Sequence, residues 1–279
     1  MRSFPIVLFV LFAAFAGAAQ NDIRNVDFKN FTYDAEFCGG ESASRITVKN
    51  GEFAEEKEVD GYTDRMYFSV FGFTYGDLDG DGNDEAVVLS LCNTGGTGNF
   101  TEAYIFTMRN GEPLKIVTLE GGDRADGGMR EARIEKGTLI METNDPGEFG
   151  GACCPEIVVT RTYKLKGQTL EETGKIEKRE LYPAKRIEFK RGEFSAREEV
   201  ELEADPGIKR FVVAASKGQK MTVTSGSDNI RFRLVKGDAD VGEEDKQLVA
   251  DLNESGDFVL EIRTFAEQDV KTTITITIR

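Results

Sequence analysis

The sequence predicts an all-β protein, an antiparallel meander followed by a β-sandwich, on three observations. Apolar and polar residues alternate with period two through most of the chain, the pattern of half-buried strands. Residues able to take positive φ sit at the midpoints of several of these runs. Helix-length periodicity of 3.6 is scarce once the first 19 residues are passed.

In chain order, Arg2 precedes the apolar run 5-PIVLFVLFAAFA-16 and the small-residue stretch 16-AGAA-19, so residues 1–19 read as a secretory signal cleaved after Ala18 or Ala19. The run is shorter than the roughly 20 apolar residues that span a bilayer. No cysteine directly follows the cleavage site, so a lipid anchor is not indicated, and no later segment is apolar enough to span, so the expected product is periplasmic or secreted, with no membrane insertion. Hairpins are expected at 45-RITVKNGEFAEE-56, 103-AYIFTMRNGEPLKIVTL-119, 132-ARIEKGTLIME-142 and 157-IVVTRTYKLKGQTLEE-172, where Asn-Gly or Lys-Gly supplies the tight turn. These fall in a first domain, residues 20–183.

Near 181-LYPAKRIEF-189 the cysteines stop and the glycine-rich loops thin out, which places a second domain at 186–279. Strands are expected at 210-RFVVAA-215, 220-KMTVTS-225, 231-RFRLV-235, 257-DFVLEIRTF-265 and 272-TTITITI-278. Short strands at this regular spacing indicate a sandwich.

Composition narrows the chemistry. With 279 residues and 39% hydrophobic side chains, the chain can bury a substantial core. A net charge of −15 repels a phosphate backbone, which argues against nucleic-acid binding. The acidity is uneven: residues 1–185 carry 31 acidic and 20 basic side chains, residues 186–279 carry 19 and 15. Histidine is absent, which removes Ser-His-Asp and Cys-His catalysis and His-ligated zinc. Tryptophan is absent too, which weakens the case for an aromatic sugar platform.

Cys38, Cys92, Cys153 and Cys154 in an exported chain imply two disulfides. Disulfides prefer Cα separations of about 5.5–6 Å, whereas neighbours lie about 3.8 Å apart. The expectation is therefore that Cys38 and Cys92 each bridge to one member of 153-CCPE-156. A thiolate metal site is the lesser alternative, lacking C-x-x-C spacing.

The stretch 76-GDLDGDGNDEAVVL-89 crowds carboxylates and glycines before an apolar run. Like charges this close raise one another's pKa unless a cation or strong donors compensate. Asp77, Asp79, Asp81, Gly82 and Asn83 match positions 1, 3, 5, 6 and 7 of an EF-hand loop, with Glu85 at position 9. The proposed ligands for Ca²⁺ are Asp77, Asp79, Asp81, Asn83 and Glu85. Position 12 is Val88, not Glu, and a strand follows instead of a helix. The pattern resembles the calcium loops of FG-GAP repeats, of which the ion site is carried over and the propeller is not, because the motif occurs once. The competing reading is a solvated acidic turn.

Three glycine-rich segments are candidate ligand loops: 93-NTGGTGNF-100, 121-GGDRADGG-128 and 149-FGGACCPE-156. Asn93, Gly95, Gly96, Asn99, Asp123, Arg124 and Asp126 are the residues singled out. Against a ligand site stands the reading that these are tight loops clamped by disulfides, with Arg124 bracing its acidic neighbours. No Gly-Lys-Ser/Thr follows, so a P-loop is disfavoured.

Residues 188–225 and 255–279 resemble bacterial pre-peptidase C-terminal domains. The likeness rests on Phe189, Gly192, Ser195, Ala196, Arg210, Phe211, Ala214, Gly218, Gln219, Met221, Val223, Ser255, Gly256, Asp257, Phe258 and Arg263. It implies a jelly-roll-like sandwich, similar to inhibitors of g-type lysozyme, with no catalytic residues. The first domain resembles a module of uncharacterised exported bacterial proteins through its acidic loop, CNTGGTGNF, GGDRADGG and GACCPE.

The resulting expectation is an exported, non-catalytic binding or accessory protein with a structural calcium, engaging an extracellular or envelope protein or glycan. The alternative is an inhibitor of a secreted hydrolase such as lysozyme. A hydrolase using acidic residues comes third, since it needs carboxylates facing one another across about 5–10 Å.

Overall fold

The computed structural model describes residues 22–279 apart from 37, 39–43, 60, 152, 205–206 and 245–246. The proposed signal segment lies outside the described residues. Apart from a one-turn 3₁₀ helix at Ile23–Asn25, every regular element among them is a strand, and the chain is all-β. It divides into two compact units, up to Arg179 and from Glu180 onward.

The first unit contains β1 (Thr32–Ala35), β2 (Ser44–Thr47), β3 (Glu52–Val59), β4 (Tyr62–Gly76), β5 (Glu85–Asn93), β6 (Phe100–Arg109), β7 (Glu112–Asp123), β8 (Met129–Ile134), β9 (Leu139–Asp145), β10 (Ile157–Lys166) and β11 (Thr169–Glu180). Strands 3 to 7 form one sheet in chain order and 8 to 11 a second, so each strand pairs with its sequence neighbour as a meander requires. The Asn110–Gly111 turn joining β6 to β7 has φ of 55° and 84°, the doubly positive pair that suits the twist of a two-residue hairpin. Lys136–Gly137 plays the same part between β8 and β9, at 51° and 66°.

The hairpin expected at residues 45–56 is corrected. Asn50 and Gly51 make the turn, with Lys49 N–H donating to the Glu52 carbonyl at 2.9 Å. The flanking strands then part, β2 pairing with β1 and β3 with β4. Ile46 on β2 and Phe53 on β3 belong to different sheets yet pack against one cluster, so long-range pairing overrides the local turn signal.

The five-stranded sheet is covered on both faces. One face packs Ala86, Val88, Cys92, Tyr104 and Phe106 against Ile23, Phe28, Tyr33 and Ile46 from the beginning of the chain. The other packs Val87, Leu89, Ala103 and Ile105 against Met129, Leu139, Met141 and Leu165 of the second sheet. This explains why 86-AVVLSL-91 reads as a continuous apolar run: both of its alternating faces are interior.

The second unit contains β12 (Ala184–Arg186), β13 (Ser195–Leu202), β14 (Gly207–Ala215), β15 (Lys220–Ser225), β16 (Ile230–Lys236), β17 (Ala239–Glu244), β18 (Gln247–Leu252), β19 (Gly256–Thr264) and β20 (Val270–Ile278). Two sheets, ordered 12-14-19-16 and 13-20-15-18-17, enclose one core of Phe211, Val213, Met221, Val223, Phe258, Leu260, Ile274 and Ile276 among others. The non-sequential order is that of a sandwich with crossing connections. All the pairings with a described register are antiparallel except the short β12–β14 pair. The hairpin of β17 and β18 escaped the sequence reading, because ADVGEE is too acidic to register as a strand.

Candidate functional site

The acidic loop joins β4 to β5 at one end of the five-stranded sheet. It brings three of the five proposed calcium ligands together, since oxygens of Asp77, Asp79 and Glu85 lie within 4.8 Å of one another. Glu85 begins β5 and is fully buried, with Oε2 accepting from Leu78 N–H at 2.9 Å and Oε1 from the Thr107 hydroxyl at 3.0 Å. Burial pushes its carboxyl above the usual range; the two donors pull it down, and Asp79 and Asp81 push it up again.

The remaining ligands serve the loop itself. Asp77 accepts from Gly80 N–H at 2.7 Å and Gly82 N–H at 3.1 Å, and Asp79 accepts from Asp81 N–H at 3.0 Å. Asp81 lies outside the cluster and accepts from Asn83, N–H at 2.7 Å and Nδ2 at 3.1 Å. Gly80 and Gly82, with φ of 83° and 88°, make the bends that allow these turns. Sequence reasoning missed Thr107, which reaches Glu85 from β6, and Arg24, whose Nε lies 2.6 Å from Asp84 and whose guanidinium sits 5.2 Å from the Tyr75 ring centroid. Neither is near the motif in sequence, so no local signal marked them. The donor set is all hard oxygen, which suits Ca²⁺, and each Glu85 oxygen keeps a second lone pair.

The glycine-rich loops come together elsewhere in the same unit. Asn93 Nδ2 donates to the Gly98 carbonyl at 2.7 Å and to Asn99 Oδ1 at 2.8 Å, while its Oδ1 accepts from Gly95 N–H at 2.8 Å. Asn99 N–H donates to Asp123 Oδ1 at 2.7 Å, and Arg124 pairs with the same carboxylate at 3.3 Å. Asn144 Nδ2 donates to the Arg124 carbonyl at 2.6 Å, tying the second loop to the end of β9. Arg124 holds φ of 39°, a left-handed conformation kept by these bonds. A side chain at Gly122 would collide with the carbonyl of Asp126, so this chain segment folds back on itself where only glycine fits. Asn93, Gly95, Asn99, Asp123 and Arg124 are thus bonded within and between loops, and Gly96 and Asp126, though exposed, join them through the backbone, the Gly96 carbonyl accepting from Asn93 Nδ2 at 3.2 Å and Asp126 N–H donating to the Asp123 carbonyl at 2.8 Å. Side-chain amides hold these loops together, alongside a disulfide at Cys92 immediately before the first and one within the third.

The disulfide pairing is corrected. Cys38 bonds Cys92 at a Cα separation of 5.7 Å, and Cys153 bonds Cys154. Alternation along β5 points Cys92 to the face lined by Tyr33 and Phe68, where Cys38 also lies. The loop bearing Cys153 and Cys154 follows β9, whose sheet covers the opposite face. A Cys92–Cys153 bridge would have to cross the sheet.

In the second unit Arg210 and Glu261 are buried and face one another. Glu261 Oε2 accepts from Arg210 Nε at 3.0 Å and Nη2 at 2.7 Å, and Oε1 from Arg263 Nη2 at 2.9 Å. Arg210 also lies 5.6 Å from the Tyr182 ring centroid. The family-like motif residues are therefore structural: Phe211, Met221, Val223 and Phe258 fill the core, Arg210 and Arg263 share Glu261, and Gly218 takes φ of 84°. No helix among the described residues is long and apolar enough to cross a membrane.

No family model matches the chain, and no curated protein matches it significantly. Among solved structures, it is similar to Aeromonas hydrophila PliG, a periplasmic inhibitor of g-type lysozyme, at 22% identity over 34% of this chain and 96% of that one, with a TM-score of 0.31. A mutant of the corresponding Escherichia coli inhibitor is similar at 18% identity over 35% and 100%, with a TM-score of 0.30. The Salmonella Typhimurium inhibitor gives 20%, 34% and 96%, with a TM-score of 0.28.

Proposed function

We propose that this is an exported, non-catalytic protein that acts by binding a macromolecule outside the cytoplasm, and that its partner is a basic secreted hydrolase such as a lysozyme. The observation that carries the reading is the fate of the three most deeply buried carboxylates. Glu85 is held by Leu78 and Thr107, Glu102 accepts from the Tyr104 hydroxyl, and Glu261 is shared by two arginines. A general acid or nucleophile must meet a substrate, and these side chains are 0%, 2% and 2% exposed. The charge of −15 attracts a basic partner over distances that contacts do not reach.

The test is inhibition of purified g-type and c-type lysozymes. Binding to a basic enzyme should be fast at low salt and slow by about tenfold or more at physiological ionic strength, where charges are screened beyond roughly 8 Å. Retention on envelope polysaccharide with no inhibition and no salt dependence would move the reading to a glycan binder. Turnover of a glycan or peptide, abolished by one acidic substitution, would overturn it.

A structural Ca²⁺ belongs to the same proposal. Asp77, Asp79 and Glu85 would hold the ion, and its charge would offset the burial, and the weaker repulsion from Asp79 and Asp81, that raise the Glu85 carboxyl. Its role is to fix the β4–β5 connection. Saturating calcium should stabilise the first unit by about 2.7 kcal/mol at a hundredfold excess over Kd, read as a shift of thermal unfolding between millimolar calcium and chelator. Asp79→Ala should abolish that shift. Identical unfolding of both proteins in both conditions would eliminate the ion.

A further inference from the structure

Cys153 and Cys154 form a disulfide that does no work in holding the fold, and we propose that the pair is a thiol-exchange site, open to reduction by external thiols of neutral or cationic class. Two features separate it from the other bridge. Cys153 and Cys154 are both exposed, whereas Cys38 and Cys92 are 1% and 3% exposed. Exchange requires a thiolate to reach a disulfide sulfur, so only the exposed pair is open to attack in the folded protein. The bridges also differ in what they enclose: the Cys38–Cys92 bond spans a sequence separation of 54, the Cys153–Cys154 bond a separation of 1. Stabilisation by a cross-link grows with the chain it closes off. Opening the neighbour bond releases no segment, and the stability of the fold does nothing to keep it closed.

The loop is preformed without it. Gly150 N–H donates to the Pro146 carbonyl at 3.0 Å, Cys154 N–H to the Gly151 carbonyl at 2.9 Å, and Glu156 N–H to the Asp145 carbonyl at 3.1 Å. A side chain at Gly150 would strike the carbonyls of Pro146 and Cys154, so the backbone beneath the two cysteines is packed tightly against the base of the loop. The backbone hydrogen bonds that hold this turn do not run through the two sulfurs.

The chemistry balances with a thiol as reductant. Its thiolate attacks the Sγ of one cysteine, the Cys153–Cys154 bond breaks, and the other cysteine leaves as a thiolate. A second thiolate, from the same dithiol or another monothiol, attacks the reductant's sulfur in the mixed disulfide. The reductant departs as a disulfide, and both cysteines end as thiols, having gained two electrons and two protons. The loop carries Glu148 and Glu156, and the whole chain −15, so an anionic thiol is repelled on approach.

The experiment treats the native full chain with dithiothreitol, cysteamine or glutathione, traps thiols with iodoacetamide and maps the labelled peptides. Cys153 and Cys154 should label together, with Cys38 and Cys92 protected until denaturant is added. At low salt cysteamine should act about tenfold faster than glutathione per thiolate, and the ratio should shrink as salt rises. The double substitution Cys153→Ser, Cys154→Ser should abolish exchange and leave thermal unfolding unchanged. Labelling of all four cysteines together, labelling without reductant, or a pair that resists reduction in the native protein would each overturn the proposal. Equal rates for the two monothiols would overturn the assigned substrate class.

Discussion

Replacing Cys38 and Cys92 together by alanine is expected to lower the stability of the first unit by about 4 kcal/mol. The bond closes a loop with a sequence separation of 54, and the chain-entropy cost of leaving such a loop open in the unfolded state is of that size. Both sulfurs also sit in the cluster that pins the beginning of the chain to the five-stranded sheet, so their loss leaves a small void beside Tyr33 and Phe68. Urea unfolding followed by circular dichroism measures the effect. The Cys153→Ser, Cys154→Ser protein is the control and should unfold with the parent. Similar losses from the two pairs would mean that the loop-size argument is wrong for this protein.

The second large effect is expected at Glu261. Changing it to Gln leaves the Arg210 and Arg263 guanidiniums facing an uncharged amide, with Arg210 only 8% exposed. Breaking a buried pair on one side typically costs about 3–5 kcal/mol, because the surviving charge has lost its counter-ion in a place water does not reach. The contrasting change is Glu198→Gln, which removes the partner of Lys185 from an exposed bridge and should cost no more than about 1 kcal/mol. A loss at Glu261 below about 1 kcal/mol, or a loss equal to that at Glu198, would show that the interior charge pair contributes no more than an exposed one. Arg263→Ala should fall between the two, since that side chain is 29% exposed and supplies one of the bonds to Glu261.

Much of the fold was legible because strands announce themselves locally. The Asn110–Gly111 and Lys136–Gly137 turns fall where positive φ was required, and 210–215, 220–225 and 257–265 lie within or along β14, β15 and β19. The failure at residues 45–56 has its source in long-range pairing. Asn50–Gly51 makes the tight turn its sequence promises, yet β2 and β3 join different sheets, because their partners β1 and β4 come from chain segments on either side of the turn, and Ile46 and Phe53 then meet in one cluster. The site was half legible in the same way. The acidic loop could be read from spacing, whereas Thr107 lies 22 residues beyond Glu85 and becomes its partner only when β6 pairs beside β5.

The sequence by itself determined the all-β class, the acidic character, the exclusion of histidine chemistry and the acid-and-glycine geometry of the β4–β5 connection, since each depends on residue type and near-neighbour spacing alone. Tertiary structure decided which cysteines meet, which arginines share Glu261, and that the glycine-rich loops lock one another through Asn93, Asn99 and Asn144. The physical reason is the two-residue period of a strand. It fixes which side chains share a face, but the layer each face packs against depends on chain segments far away in sequence. Cys92 illustrates it: alternation set the face, and the arrival of Tyr33 and Cys38 on that face, with β9 on the other, set the bond.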